Sequence, residues 1–96
     1  MWILESSAGS EEKLTFRVPA GAVKTIGRAT GAEFIVEAPL VSRLHCQITA
    51  TGTSLQVKDL DSTNGTFVNG SRVQTAHLRE GDTLSVGRVD LIVSKT

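Results

Sequence analysis

Polar and apolar residues alternate over short stretches along most of this chain, and no window of eleven or more residues keeps a helical period. In residues 14–18 (LTFRV), Leu14, Phe16 and Val18 alternate with Thr15 and Arg17. Successive side chains of a strand leave on opposite faces, so this pattern predicts a strand with three large side chains on one side. The same rule groups Cys46, Ile48 and Ala50 against His45, Gln47 and Thr49 in a strand over 45–50. It turns Leu55 and Val57 inward in a strand over 55–60, pairs Leu84 with Val86, and puts Val89, Leu91 and Val93 on one face near the end. Apolar runs at 1–5, 23–27 (VKTIG) and 33–36 (EFIV) and the triplet Thr66-Phe67-Val68 add further short strands.

Turn residues separate these runs. Gly9-Ser10, Pro19-Ala20-Gly21, Pro39, residues 51–54 (TGTS) and Gly81-Asp82 each interrupt the alternation. Asn69-Gly70 is a two-residue hairpin signal, because both residues accept the positive φ that such a turn requires. Roughly ten short strands at close spacing predict an all-β sandwich or barrel with its loops at the ends. No internal repeat, linker or low-complexity tract interrupts the chain.

With 96 residues the chain suits one small domain, and 40% hydrophobic residues are enough for a single core. There is no Tyr, one Trp and three Phe, so the core is built chiefly from aliphatic residues. Ten Lys plus Arg balance ten Asp plus Glu. This neutrality, with no aromatic residues spaced for base stacking, argues against direct nucleic-acid binding. Any bound anion must therefore be held by a local cluster. The lone Cys46 excludes an internal disulfide and a cysteine-based zinc cage, and its alternation with Ile48 predicts a small core residue. Neither an export signal nor a membrane-length apolar run is read. The expectation is an intracellular protein, cytoplasmic or nuclear, with no metal, no cofactor and no membrane partner.

Four segments carry candidate chemistry: Gly27-Arg28, Ser42-Arg43-Leu44-His45, Asp61-Ser62-Thr63-Asn64-Gly65-Thr66 and Asn69-Gly70. Arg28 follows a predicted strand, so its guanidinium can project from a loop rim and match phosphate oxygens with forked, charge-assisted hydrogen bonds. Ser42 offers a hydroxyl and a backbone N–H to the same anion, and Arg43 adds a charge beside it. Thr63 and Asn64 supply neutral polar groups, and the Asn64 amide can pair with the backbone of an extended peptide. Gly65 permits a positive φ or a close backbone approach. His45 reads as a structural residue that bonds within the loop and holds Ser42 in place. Each element alone is weak: an exposed Arg is usually a solvated charge, and Asn-Gly is ordinarily just a turn.

Taken in order, Gly27-Arg28, Ser42-x-x-His45 and Asn64-Gly65-Thr66 resemble the signature of forkhead-associated (FHA) domains. The blocks LVSRLHCQI, VKDLDSTNGTFVNG and LREGDTLSVGR are similar to successive segments of that family, from about residue 23 onward. The resemblance implies an FHA-like sandwich of about eleven short, mostly antiparallel strands whose end loops hold a phosphothreonine. It implies that Arg28 and Ser42 contact the phosphate, that Arg43 and Thr63 complete the pocket, and that Asn64 bonds the peptide main chain. Gly27, His45 and Gly65 would shape the loops, and a small apolar niche for the γ-methyl would favour phosphothreonine over phosphoserine. The implied function is a non-enzymatic module that docks phosphothreonine-containing proteins or peptides in kinase signalling, including other domains of the same parent chain. Residues 1–96 are expected to form one such domain, the N-terminal module of a longer protein.

Leu44 departs from the family pattern, which is often basic at that position, and should lower affinity modestly. Leu40, two residues before Ser42, is placed to meet the third residue after the phosphothreonine and to favour an aliphatic over an acidic side chain there. Two rival readings differ in class. An enzyme would need Ser42, His45 and Asp59 or Asp61 to act together, but no nucleophile elbow is present and the strand pleat separates Ser42 from His45. An interaction or scaffold domain that binds or dimerises without phosphate would survive loss of Arg28 and treatment with phosphatase.

Overall fold

The alternation becomes eleven strands in the computed structural model, which describes residues 1–11 and 13–96. They are β1 (Trp2–Ser6), β2 (Thr15–Val18), β3 (Val23–Gly27), β4 (Phe34–Ile35), β5 (Cys46–Ala50), β6 (Leu55–Asp59), β7 (Thr66–Val68), β8 (Ser71–Val73), β9 (Thr75–Leu78), β10 (Thr83–Val86) and β11 (Val89–Lys95). One sheet has the order β2-β1-β11-β10-β7-β8 and the other β4-β3-β5-β6-β9. The strand pairs run antiparallel except β3 with β4, which is parallel. No helix long and apolar enough to cross a membrane occurs among the described residues.

The inward positions of the two sheets make one core. Leu4, Val86, Leu91 and Val93 of the first sheet are buried with Ile26, Cys46, Ile48, Leu55 and Val57 of the second. Burying each large aliphatic side chain contributes about 1.5–3 kcal/mol, the main favourable term for a domain of this size. Phe16 of edge strand β2 stacks on Phe34 of edge strand β4, centroids 4.6 Å apart and planes 9° from parallel, and links the two sheets along that side.

Several element bounds differ from the sequence expectation. The strand expected to include Leu14 begins at Thr15; Leu14 is half-buried beside it, its N–H bonded to Ser6 Oγ at 2.9 Å. The strand expected over 33–36 shrinks to Phe34–Ile35. A Glu33 carboxylate oxygen accepts from Thr25 N–H at 2.7 Å, and Val36 N–H turns back to Gly27 O at 2.8 Å. The strand expected from 45 begins at Cys46, and His45 is fully buried rather than sharing a face with Gln47 and Thr49. The strand expected through 60 ends at Asp59, and Leu60 N–H bonds His45 O at 3.0 Å.

Asn69-Gly70 forms the expected hairpin turn, φ 50° and 85°, with Val68 opposite Ser71. Ser6, Gly27, Asp59 and Val86 end their strands where Thr15, Cys46, Thr66 and Val89 begin theirs. The pairings bring these strand ends to one end of the sandwich, and with them the loops 28–33, 36–45, 60–65 and 87–88.

Candidate functional site

The site grows from the end of β3. Gly27 is buried, and a Cβ there would collide with the Arg43 carbonyl, 2.8 Å from its carbon. Only a glycine lets the 41–44 backbone lie this close. That approach allows Arg28 N–H to donate to Ser42 O at 3.0 Å and Ala29 N–H to Arg43 O at 3.1 Å. Arg28 is exposed, and its Nε donates to Val41 O at 3.0 Å. This single bond orients the guanidinium and leaves its two terminal amino groups for an outside acceptor.

His45 ties the next two loops together. Its Nδ1 accepts from Ser42 N–H at 3.0 Å, so Nε2 carries the ring proton and donates to Gly65 O at 2.8 Å. The expectation that His45 holds Ser42 agrees with this geometry. The offer of the Ser42 backbone N–H to an anion does not, because His45 already occupies it. Ser42 Oγ accepts from Thr63 N–H at 3.0 Å, which leaves the hydroxyl proton to donate elsewhere. Both ring nitrogens of His45 face backbone groups, so no base stands on Ser42 Oγ.

The 59–66 turn is organised by Asp59, a residue that sequence reasoning weighed only as a triad member. Its carboxylate accepts from Ser62 N–H (3.2 Å), Ser62 Oγ (2.5 Å) and Thr66 Oγ1 (2.7 Å). Ser62 Oγ in turn accepts from Gly65 N–H at 3.0 Å, and Gly65 takes φ +90°. The Asp-x-x-Ser spacing was the available signal, since such short side chains commonly bond the backbone of their own turn. Burial pushes the Asp59 carboxyl up, but the hydrogen bonds from Ser62 and Thr66 outweigh it and hold it below the usual carboxylate range. Asp82, which accepts from Arg79 N–H and Asn69 Nδ2, is lowered in the same direction.

A depressed carboxylate pKa contributes stability that is present above the unfolded value, about 3.9, and is lost as pH falls through the folded value. Stability should therefore decline below about pH 4. Asn at position 59 removes the charge and one of the two oxygen acceptors, so the bonds from Ser62 and Thr66 cannot all be kept as they are, and Asp59→Asn should cost about 2 kcal/mol at pH 7. The difference from the wild type should narrow in acid. Urea unfolding of both proteins from pH 7 to pH 2 checks this; parallel curves would refute it.

Asn64 is exposed, and its Nδ2 donates to Leu40 O at 2.9 Å, while its amide oxygen and second N–H stay available. Arg28, Ser42, Thr63 and Asn64 are thus joined through short bonds between three loops. Arg43 and Leu44 lie on the outer side of Ser42 and line a hollow with Ala29, Thr30 and Gly31. Leu44, where the family is often basic, is 49% exposed. Leu40 lies at the opposite edge beside Asn64. Gly87 was missed as a shaping residue: a Cβ there would stand 2.7 Å from the Leu40 carbonyl carbon, so the 87–88 turn rests directly on residues 40–41. Among the described residues, no group of His, Cys, Asp or Glu could hold a metal ion.

A family model described as FHA domain matches residues 24–87. The chain is 41% identical over 80 residues to the ABC transporter ATP-binding/permease protein Rv1747 of Mycobacterium tuberculosis, covering 83% of this chain and 9% of that protein. It is also 41% identical over 68 residues to the FHA domain-containing protein FhaA of the same species, covering 71% of this chain and 13% of FhaA. The chain therefore spans only a small part of these relatives. Among solved structures, the FhaA FHA domain complexed with the intracellular domain of Rv3910 aligns with TM-score 0.87 and 35% identity, over 98% of this chain and 100% of that one. A structure from an analysis of phosphothreonine-dependent FHA domain interactions aligns with TM-score 0.88 and 35% identity, over 99% and 96%. With the motif residues gathered at one end of a two-sheet sandwich and the family model covering most of its length, the chain belongs to the FHA domain family.

Proposed function

We propose that this chain is a phosphothreonine-dependent peptide-binding module that docks phosphorylated proteins in kinase signalling. The observation that carries this reading is the bonding of three loops, distant in sequence, around Arg28 and Ser42. A dianionic phosphate fits a rim where the terminal amino groups of Arg28, the Ser42 hydroxyl and the Arg43 guanidinium are available, because charge-assisted bonds of this kind are about twice as strong as neutral ones. Thr63 completes the neutral side of the pocket, and Asn64 takes the peptide main chain with its unused amide groups. Gly27, His45 and Gly65 hold these loops in register. Leu40 contributes to side-chain preference beside the phosphorylated residue.

FHA domains are interaction modules, and the same holds for this chain in our reading: with both His45 nitrogens engaged, Ser42 has no base to make it a nucleophile. Two structural relatives support a protein segment as ligand, one complexed with the intracellular domain of Rv3910 and one from work on phosphothreonine-dependent interactions. The test is a titration with matched peptides carrying phosphothreonine, phosphoserine and unmodified threonine. Saturable binding of the phosphothreonine peptide, abolished by phosphatase, is expected; the phosphoserine peptide should bind far more weakly. Equal binding of the unmodified peptide would refute the reading.

A further inference from the structure

The turn that carries Asn64 is held by bonds already described: Thr63 N–H to Ser42 Oγ, Asn64 Nδ2 to Leu40 O, and Gly65 between Ser62 Oγ and the His45 ring. The flank at the Gly65 Cα is covered by a residue with no part in those bonds. A Cβ on Gly65 would stand 2.7 Å from Nε, 3.0 Å from Cζ and 3.2 Å from Cδ of Arg72, the nearest atoms from elsewhere in the chain. Three consecutive atoms of the arginine therefore lie across the glycine, in the space that any other residue at position 65 would need for its own side chain.

The other glycines of positive φ show that such cover is not a general feature of these turns. At Gly9, Gly21, Gly70 and Gly81 nothing lies within 4 Å of the Cβ position. Gly87 is covered, but by the backbone of residues 40–41 and the short Val41 side chain, which the fold fixes. Gly65, φ +90°, is instead closed off by the far end of a flexible side chain, and the result is a buried glycine beneath an exposed arginine. Glycine has the widest choice of backbone conformations of any residue, so a group lying on it removes alternatives. Arg72 reaches this place from the edge strand β8, where it stands opposite Phe67. A guanidinium is planar and more weakly hydrated than an ammonium, which suits it to rest on a peptide group.

We propose that Arg72 is a positioning residue for the phosphopeptide site: its guanidinium holds the Asn64-Gly65 peptide in the conformation that presents the Asn64 amide to the ligand main chain. The inference rests on the phosphopeptide reading, which gives Asn64 that task, and adds a residue from outside the three loops. Arg72 acts through Gly65 and touches no ligand in this role. Without it, Gly65 samples other φ values, and the neighbouring Asn64 loses its fixed direction.

The test joins two measurements on the wild type, Arg72→Ala and Arg72→Lys. In the free protein, hydrogen exchange of the Gly65 N–H should quicken by at least about fivefold in Arg72→Ala, with the β5 amides unchanged, because a local opening is made easier and global unfolding is not. Affinity for a phosphothreonine peptide should fall by about fivefold in the same variant, and lysine, which has the charge but not the planar group, should recover only part of the loss. In an Asn64→Ala background, Arg72→Ala should change affinity by less than about twofold, because the two residues act as one unit. Unchanged Gly65 exchange would overturn the proposal, as would unchanged affinity in Arg72→Ala or equal losses of affinity in both backgrounds. So would full recovery by lysine with the loss erased at high salt, the mark of a purely coulombic effect. A wild type that binds no phosphorylated peptide would overturn the phosphopeptide reading and the positioning role with it, while Gly65 exchange, measured without ligand, would still show whether Arg72 restrains the turn.

Discussion

Alanine in place of Arg28 is expected to weaken binding of a phosphothreonine peptide by at least about 100-fold, because each charge-assisted bond to phosphate contributes about 1.5–3 kcal/mol and two are lost together. Stability should fall by no more than about 1 kcal/mol. The side chain is exposed and buries no apolar surface of the core; its one internal tie is the Nε bond to Val41 O. Lysine at position 28 retains the charge but neither the fork nor the Nε donor, so it should restore only part of the affinity. Peptide titration and urea unfolding of both variants separate the two effects. A variant that binds as well as the wild type would show that Arg28 does not face the ligand, and one that unfolds would show that it carries structure instead.

Gly27→Ala should act in the opposite way, through the fold. The added methyl would meet backbone of Arg43 and Leu44, which cannot swing aside as a flexible side chain can. Either β3 moves away from the 41–44 segment, or the bonds from Arg28 N–H and Ala29 N–H to that segment break. The expected cost is about 3 kcal/mol or more, against a total stability of about 5–15 kcal/mol for a typical domain. Binding should be lost with it, because Ser42 moves relative to Arg28. Gly31→Ala is the matched control. Nothing lies within 4 Å of a Cβ at that position, so stability there should be unchanged or slightly improved. Denaturant midpoints that are the same for both variants would refute the close-packing argument.

The inward alternation was legible because it depends only on residue order. Leu55 and Val57, Leu84 and Val86, and Val89, Leu91 and Val93 occupy buried positions as the period of two requires. Asn69-Gly70 was equally plain, since both residues suit the positive φ its turn needs. The Gly87-Arg88 turn was not, because arginine gives no sign of a left-handed conformation. β9 (Thr75–Leu78) escaped notice as well: an edge strand with a single buried residue, Leu78, leaves almost no alternation to read. Asp59 was visible as a residue but not as the organiser of its turn, a role set by the lengths of three specific hydrogen bonds.

Local order along the chain determined the all-β class, most of the strands, the loops between them and the identity of the family motif residues. These follow from side-chain alternation and turn stereochemistry, which act over a few neighbouring positions. Only the tertiary structure decided which polar groups remain free. It committed the Ser42 N–H to His45, bent Arg28 toward Val41, fixed Asn64 to Leu40 and brought Arg88 beside them. Apart from the Ser42–His45 bond, which spans three residues, these contacts join positions thirteen or more residues apart, and no periodicity in the chain encodes such pairings.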